Sequence, residues 1–449
     1  MAAHANLRAA MDAAADLTGL AALLLAALLA GWALSRAGEP VSPGYVLAGI
    51  VCGPSVFGFI ANERSIRLAA EGGALVLLFI VGVELSVRAL RAEKRTAIAV
   101  VIGQIAIALL AMLIVAALTD ITLAGAVTIG FAVALASPAG MTEIFDRAGI
   151  RRARAARAAV AILIAGTLAF LPMSIVVDSV GAGGFGLWAL VKTAFGICLI
   201  VVIAYLLGRR RRYHVPLAHL ATEHAEISPI AALAYGLAGT IVFGVLGLTG
   251  AVGAFAAGLL LSGSRERGVF ASSLAPLRAA AKLIFFAAFG ALVDVGYVFS
   301  HLFTFALGLV AISVARFAAT TWLMQFAGAP LPRAFASSAA LWPSGETSFL
   351  LVVGAFSTYA LGVDEAKLAL ALIAATVLTS PVTLAMVRRV RAAVDDVADW
   401  RSLGAVVIGG SRQPKPAAAN IADIGAQVRE AAGLYGDPAP RQRPPDPHA

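Results

Sequence analysis

Apolar residues in this chain come in long runs separated by short polar segments. The first run extends from Leu17 to Leu34. Others follow at about 43–60, 68–87, 96–118, 121–145, 158–180, 187–208, 228–247, 249–263, 279–299, 301–327, 334–358 and 366–387, each near the ~20 residues that a bilayer core requires of a helix. The pattern predicts an all-α polytopic membrane protein with about thirteen transmembrane helices. The segment before the first run carries Asp12 and Asp16 beside Arg8, and the run is longer than the apolar core of a secretory signal. It is therefore expected to be a retained span.

Two of these runs are interrupted. Ala134-Leu-Ala-Ser137-Pro138-Ala-Gly140-Met-Thr142-Glu143 breaks the fifth, and Ala340-Leu-Trp-Pro343-Ser344-Gly345-Glu346-Thr347-Ser348 breaks the twelfth, roughly 206 residues later. Proline removes a backbone donor and glycine loosens the next turn, so each stretch leaves carbonyl and amide groups unpaired deep in hydrocarbon. Such backbone is tolerated where it lines a polar site. A matched pair of interruptions points to the binding site of a secondary transporter.

Composition agrees with the pattern. Hydrophobic residues make up 60% and charged residues 13% of the sequence, and the mean hydropathy is +0.91, values that exclude a soluble globule of this length. The formal charge of +9 sits in the loops, so it reports topology and not nucleic-acid binding. Basic clusters follow every odd-numbered span, among them Arg88, Arg91, Lys94 and Arg95, then Arg151, Arg152 and Arg154, then Arg209 to Arg212. The loops on the other side hold about four basic residues against about twenty. This predicts an external N-terminus and a cytoplasmic C-terminus. Cys52 and Cys198 lie in apolar runs without metal-ligand spacing and read as packing residues.

Gly82 matches Gly290, and Leu135 matches Leu341, at a spacing of roughly 206 to 208 residues. Spans two to six thus correspond to spans nine to thirteen. An odd number of spans separates each pair, which predicts an inverted-topology repeat and, with it, alternating access.

Leu75-Val-Leu-Leu-Phe-Ile-Val-Gly-Val-Glu-Leu resembles the "LMLFxxGLEL" helix of the monovalent cation/proton antiporter-2 family, which holds Kef-type potassium-efflux systems and NapA-type sodium/proton antiporters. Gly250-Ala-Val-Gly-Ala-Phe-Ala-Ala-Gly-Leu-Leu-Leu is similar to its "LGAFLAGLLL", the stretch from Pro276 to Gly290 to "PFKxLLLGLFFVSVG", and Gly345-Glu-Thr-Ser-Phe to "RGEFSF". The resemblance implies a transmembrane transporter domain at 1–393 in the bacterial inner (plasma) membrane, and a homodimer. Within it, a gate or dimer part would occupy about 17–87 and 228–299, and a core part about 96–180 and 301–387. A linker helix at about 187–208 would join them. The substrates implied are a monovalent cation, Na⁺ or K⁺, and a proton; no cofactor is expected and no enzyme activity.

One departure stands out. The family carries an acidic dyad five residues before a proline in the sixth span, and counting back from Pro172 places Gly166 and Thr167 there. Threonine can coordinate a cation weakly but does not titrate, so it cannot couple proton release to ion uptake. Arg316, in the middle of span eleven, matches a position where the family often places Lys or Arg. Arginine stays protonated and cannot carry an exchanged proton. It can neutralise the carbonyl ends of the broken helices or contact substrate directly.

Glu346 is the carboxylate placed nearest midmembrane, at the start of a half-helix, where the helix dipole and free amides favour a carboxylate. It reads as a cap, as a partner of Arg316, or as a relocated cation and proton site. Ser137, Thr142 and Ser344 are candidate hydroxyl ligands or partners for freed backbone groups. Glu143 occupies the analogous place in span five, nearer the cytoplasm. Lys282 and Asp294 lie toward helix ends, where snorkelling suffices.

The segment 394–449 is polar and proline-rich at its end and is expected to be a largely disordered cytoplasmic tail without a nucleotide-binding unit. A separate regulatory subunit stays open. Beside the cation/proton antiporter, two further readings remain: a carrier of a small anion or organic acid drawn by Arg316, and a non-transporting membrane subunit or sensor.

Overall fold

A computed structural model describes residues 2–60, 62–84, 90, 92–149, 154–181, 191, 194–195, 226–392, 403 and 406–407. The described chain is helical: α1 (Ala2–Arg36), α2 (Ser42–Cys52), α3 (Glu63–Glu84), α4 (Lys94–Ala117), α5 (Leu123–Ala134), α6 (Pro138–Ala148) and α7 (Arg154–Gly181) form its first part. The second part holds α8 (Ile227–Val245), α9 (Gly250–Ser262), α10 (Arg267–Ser273), α11 (Ala275–Ala291), α12 (Val295–Ser300) and α13 (Leu302–Ser313). A π-helical turn, Val314–Ala318, leads into α14 (Ala319–Phe326), followed by α15 (Leu331–Ala340), α16 (Glu346–Ser357), α17 (Val363–Leu378) and α18 (Ser380–Ala392).

Eight helical stretches among the described residues are long and apolar enough to cross a membrane, and nine when α10 and α11, bent by 49°, count as one. The apolar pattern predicts about thirteen. For three of the runs the difference has a physical origin. The runs at 43–60 and 249–263 form helices of only 11 and 13 residues, and the run at 334–358 is split between α15 and α16. Most of the run at 187–208, Cys198 included, lies outside the described residues, as do Arg209 to Arg212 and most of the tail.

Local sequence explains the breaks. Leu135 and Ser137 turn extended after α5, and Ser137 then caps α6 by accepting the Gly140 amide at 3.0 Å, with Pro138 at the first helical position. Gly149, at φ 66°, closes α6 in a left-handed turn. In the twelfth run the helix stops at Leu341 and restarts only at Glu346, after Pro343-Ser344-Gly345.

Two groups of helices pack among themselves. In one, α2 and α3 lie against α11, α3 lies against α9, and α9 lies against α8. In the other, α4 packs on α5 and α7, α16 on α5 and α7, and α15 on α7 and α18. Glycines set the first group. A Cβ on Gly82 would come within 2.6 Å of the Phe255 carbonyl, and one on Gly258 within 2.1 Å of the Phe79 carbonyl. The same relation holds between Gly49 and Gly290, whose added Cβ atoms would meet the Ala287 carbonyl at 2.1 Å and the Val46 carbonyl at 2.2 Å. The two contacts repeat each other about 208 residues apart. Leu403 is buried against Leu331, Phe335 and Val390, so the tail touches the second group at that point.

Candidate functional site

The two interruptions meet. Ser137 N donates to the Pro343 carbonyl at 2.7 Å, joining the breaks directly through backbone. Glu346, fully buried, reaches the N-terminus of the other half-helix: its Oε1 accepts the Ala139 amide at 2.9 Å and its Oε2 accepts the Ser137 hydroxyl at 2.6 Å. A carboxylate is thus held at the positive end of α6 by an amide that has no partner within its own helix.

The carbonyl ends are satisfied by different means. At the end of α5, the Thr347 hydroxyl donates to the Ala136 carbonyl at 3.2 Å and the Ser348 hydroxyl to the Leu135 carbonyl at 3.1 Å. At the end of α15, Arg316 donates through one terminal nitrogen to the Leu341 carbonyl and through the other to Ser344 Oγ. Positive charge therefore sits at a negative helix end, and negative charge at a positive one. Arg316 and Glu346 serve different half-helices and form no ion pair with each other. The Arg316 side chain is brought to this point by the π-turn, which adds a residue to the register of its helix.

Two cavities approach the crossing from opposite sides. One, of about 450 Å³, opens toward the basic loops and is lined by Ala139, Thr142, Glu143 and Lys282, among others. The other, of about 750 Å³, is lined by Asp294, Val352, Val353 and Lys367 on the opposite side. Between them Phe285 and Phe289 of α11 meet Phe349 of α16, with ring centroids 5.6 and 5.7 Å apart, and all three rings are fully buried. Glu346 is sealed from both.

An apolar helical chain with two crossed interruptions and a buried carboxylate between opposed cavities has counterparts among known proteins. Residues 24–389 match the family described as "Sodium/hydrogen exchanger, transmembrane". The chain belongs to the sodium/hydrogen exchanger family. It is 29% identical over 389 residues to the iron transporter MagA of Paramagnetospirillum magneticum (strain ATCC 700264 / AMB-1), covering 86% of this chain and 89% of that protein. The solved sodium proton antiporter MjNhaP1 from Methanocaldococcus jannaschii, at pH 8, matches with a TM-score of 0.59 and 16% identity over 86% of this chain and 96% of that one, which shows a shared fold.

In this exchanger-family chain the residues singled out from sequence fall into three sets. Ser137, Glu346, Ser344 and Arg316 all lie at the two breaks. Thr142 sits a turn away, its hydroxyl bound to the Ala139 carbonyl at 3.0 Å, and lines the basic-side cavity. Thr167 and Gly166 lie on α7, which packs against both α15 and α16. The Thr167 hydroxyl donates back to the Leu163 carbonyl at 2.9 Å, and a Cβ on Gly166 would meet open space. Glu346 is not the partner of Arg316, because the arginine spends its terminal nitrogens on Leu341 and Ser344.

Other participants are not evident from the breaks themselves. Thr376 Oγ1 accepts the Ser344 amide at 2.9 Å, fixing the second break. Its signal is the repeat: Thr376 and Pro381 reproduce the spacing of Thr167 and Pro172. Lys282, read from sequence as a snorkelling end, is instead mostly buried and paired with Glu143.

Proposed function

We propose that the protein is a secondary active transporter that exchanges a monovalent cation for protons, with Glu346 as the carboxylate that holds each in turn. The observation that carries this reading is the position of Glu346: fully buried where the two broken helices cross, with its oxygens held by Ser137 and Ala139. A carboxylate releases its proton to bind a cation and takes it back when the cation leaves, which Thr167 and Arg316 cannot do. Ser137 supplies a neutral hydroxyl oxygen beside the Glu346 carboxylate, and Arg316 with Ser344 holds the second break rigid.

The opposed cavities and the aromatic seal support an occluded conformation of an alternating-access carrier. The repeated glycine contacts support an inverted-topology repeat, and the two packing groups fit a gate part and a mobile core. Together with the motif resemblance they favour the antiporter-2 branch of the family, about thirteen spans, a homodimer in a bacterial inner membrane, and the basic-loop side as cytoplasmic.

MagA, by its name, carries iron. Among the described residues no group of three or more His, Cys, Asp and Glu side chains is placed to hold a metal ion, and one carboxylate neutralises one positive charge. This favours a monovalent ion. An anion drawn by Arg316 would meet a guanidinium whose terminal nitrogens are already bound to Ser344 and Leu341, with Nε left as its unpartnered donor.

The test is proton flux in proteoliposomes carrying a pH dye, on adding Na⁺, K⁺, Li⁺ or Fe²⁺. The expected result is flux with at least one alkali ion that vanishes in Glu346→Gln. Flux retained in Glu346→Gln, or driven by Fe²⁺ alone, overturns the reading.

A further inference from the structure

The basic-side cavity contains a charge pair that the exchange site does not use. Glu143, on α6, is 9% exposed, and both of its oxygens are engaged. Its Oε1 accepts the Val41 amide at 2.5 Å; its Oε2 accepts both the Ser42 hydroxyl at 2.7 Å and the Lys282 ammonium. Arg147 Nε lies 3.7 Å from Oε1. Lys282 comes from α11, in the first packing group, and Glu143 from α6, which packs on α15 and α18 of the second. The pair therefore bridges the two groups.

Its position along α6 matters more than its strength. Ala139, whose amide holds Glu346, lines the same cavity as Glu143, and the two residues are four positions apart. That is one helical turn, about 5–6 Å of rise. Glu143 faces the cavity and Glu346 lies sealed one turn beyond it, so a cation admitted from the basic-loop side would pass Glu143 first. The place it would occupy at Glu143 holds a primary ammonium, a monovalent cation tethered to α11.

We infer that Glu143 is an admission site for the transported alkali cation, and that the Lys282 ammonium is its built-in competitor. The inference rests on the reading of Glu346 as the exchange site, and it adds a second cation station on the path to it. Removing Lys282 leaves Glu143 bound to Val41 and Ser42, so the site keeps its shape while losing its resident charge.

Thiol modification tests this without requiring transport. With Cys52 and Cys198 replaced by alanine, Thr142→Cys places a thiol in the cavity beside Glu143, and a membrane-impermeant cationic reagent is applied from the basic-loop side of oriented vesicles. Lys282→Met is expected to raise the modification rate about tenfold over the native lysine, and Lys282→Arg to leave it near native. In Lys282→Met, Na⁺, K⁺ or Li⁺ should slow modification, and adding Glu143→Gln should abolish that slowing. Equal rates with lysine, arginine and methionine overturn the inference, as does a rate in Lys282→Met that ignores all three cations. Val353→Cys, in the opposite cavity, guards against general loosening: a parallel rise there also overturns it. Failure here leaves exchange at Glu346 standing, and loss of exchange leaves this assay readable.

Discussion

The hydroxyl of Ser137 donates to Glu346 at 2.6 Å across 209 residues of sequence, while its oxygen accepts the Gly140 amide of its own helix at 3.0 Å. One side chain thereby caps α6 and orients the carboxylate that begins α16. Ser137→Ala removes an N-cap, worth about 1 kcal/mol. It also strips one partner from a buried carboxylate, a further loss of about 1–3 kcal/mol. Thermal unfolding in detergent should show a clear drop in midpoint, with Ser137→Thr recovering most of it.

The paired glycine contacts predict equal damage at positions far apart in sequence. Gly82→Ala and Gly290→Ala each drive a Cβ into a facing carbonyl, an overpacking cost of about 1–3 kcal/mol or more. Gly166→Ala meets open space and should instead gain about 0.5–1 kcal/mol, because alanine is the better helix former. Unfolding midpoints of the three variants decide this; a destabilised Gly166→Ala would mean that the space beside α7 is filled.

Much of this architecture is legible in one dimension, because a membrane demands long apolar runs and punishes unsatisfied backbone. Both breaks could therefore be found from Pro138, Gly140, Pro343 and Gly345. The lengths of α2 and α9 could not, since hydropathy registers the apolar flank of a short helix as part of the span. Lys282 shows the deeper limit: a lysine a few residues inside a helix end looks like a snorkelling chain until its facing partner, Glu143, is known. The same holds for Arg316, whose acceptors are a backbone carbonyl and a serine that no charge pattern marks.

Arg316 is expected to act on the second break and not on the ion. Arg316→Lys keeps the charge but loses the forked reach to both Leu341 and Ser344. Arg316→Gln removes the charge as well and should cost about 1–3 kcal/mol through the unpaired Leu341 carbonyl. Both variants are expected to lower the unfolding midpoint, glutamine more than lysine, while the order of preference among Na⁺, K⁺ and Li⁺ stays unchanged. A reversed ion preference would place Arg316 at the substrate.

Thr167→Asp puts a titrating group where the motif resemblance would place an acidic residue. Its present hydroxyl is tied to Leu163, so the substitution gives up one backbone bond and adds a carboxylate. Proteoliposome flux across pH should then show a second titration absent from the native profile. An unaltered profile would mean that this part of α7 does not face the ion path.

The most direct measurement counts protons released when a cation binds. Calorimetric titration of the purified protein with the alkali ion that drives flux, in two buffers of different ionisation enthalpy, gives that number without vesicles. Proton release on binding is expected in the native protein and none in Glu346→Gln. Equal release in both would contradict it, placing the exchanged proton on another group and leaving Glu346 as the cap of a broken helix.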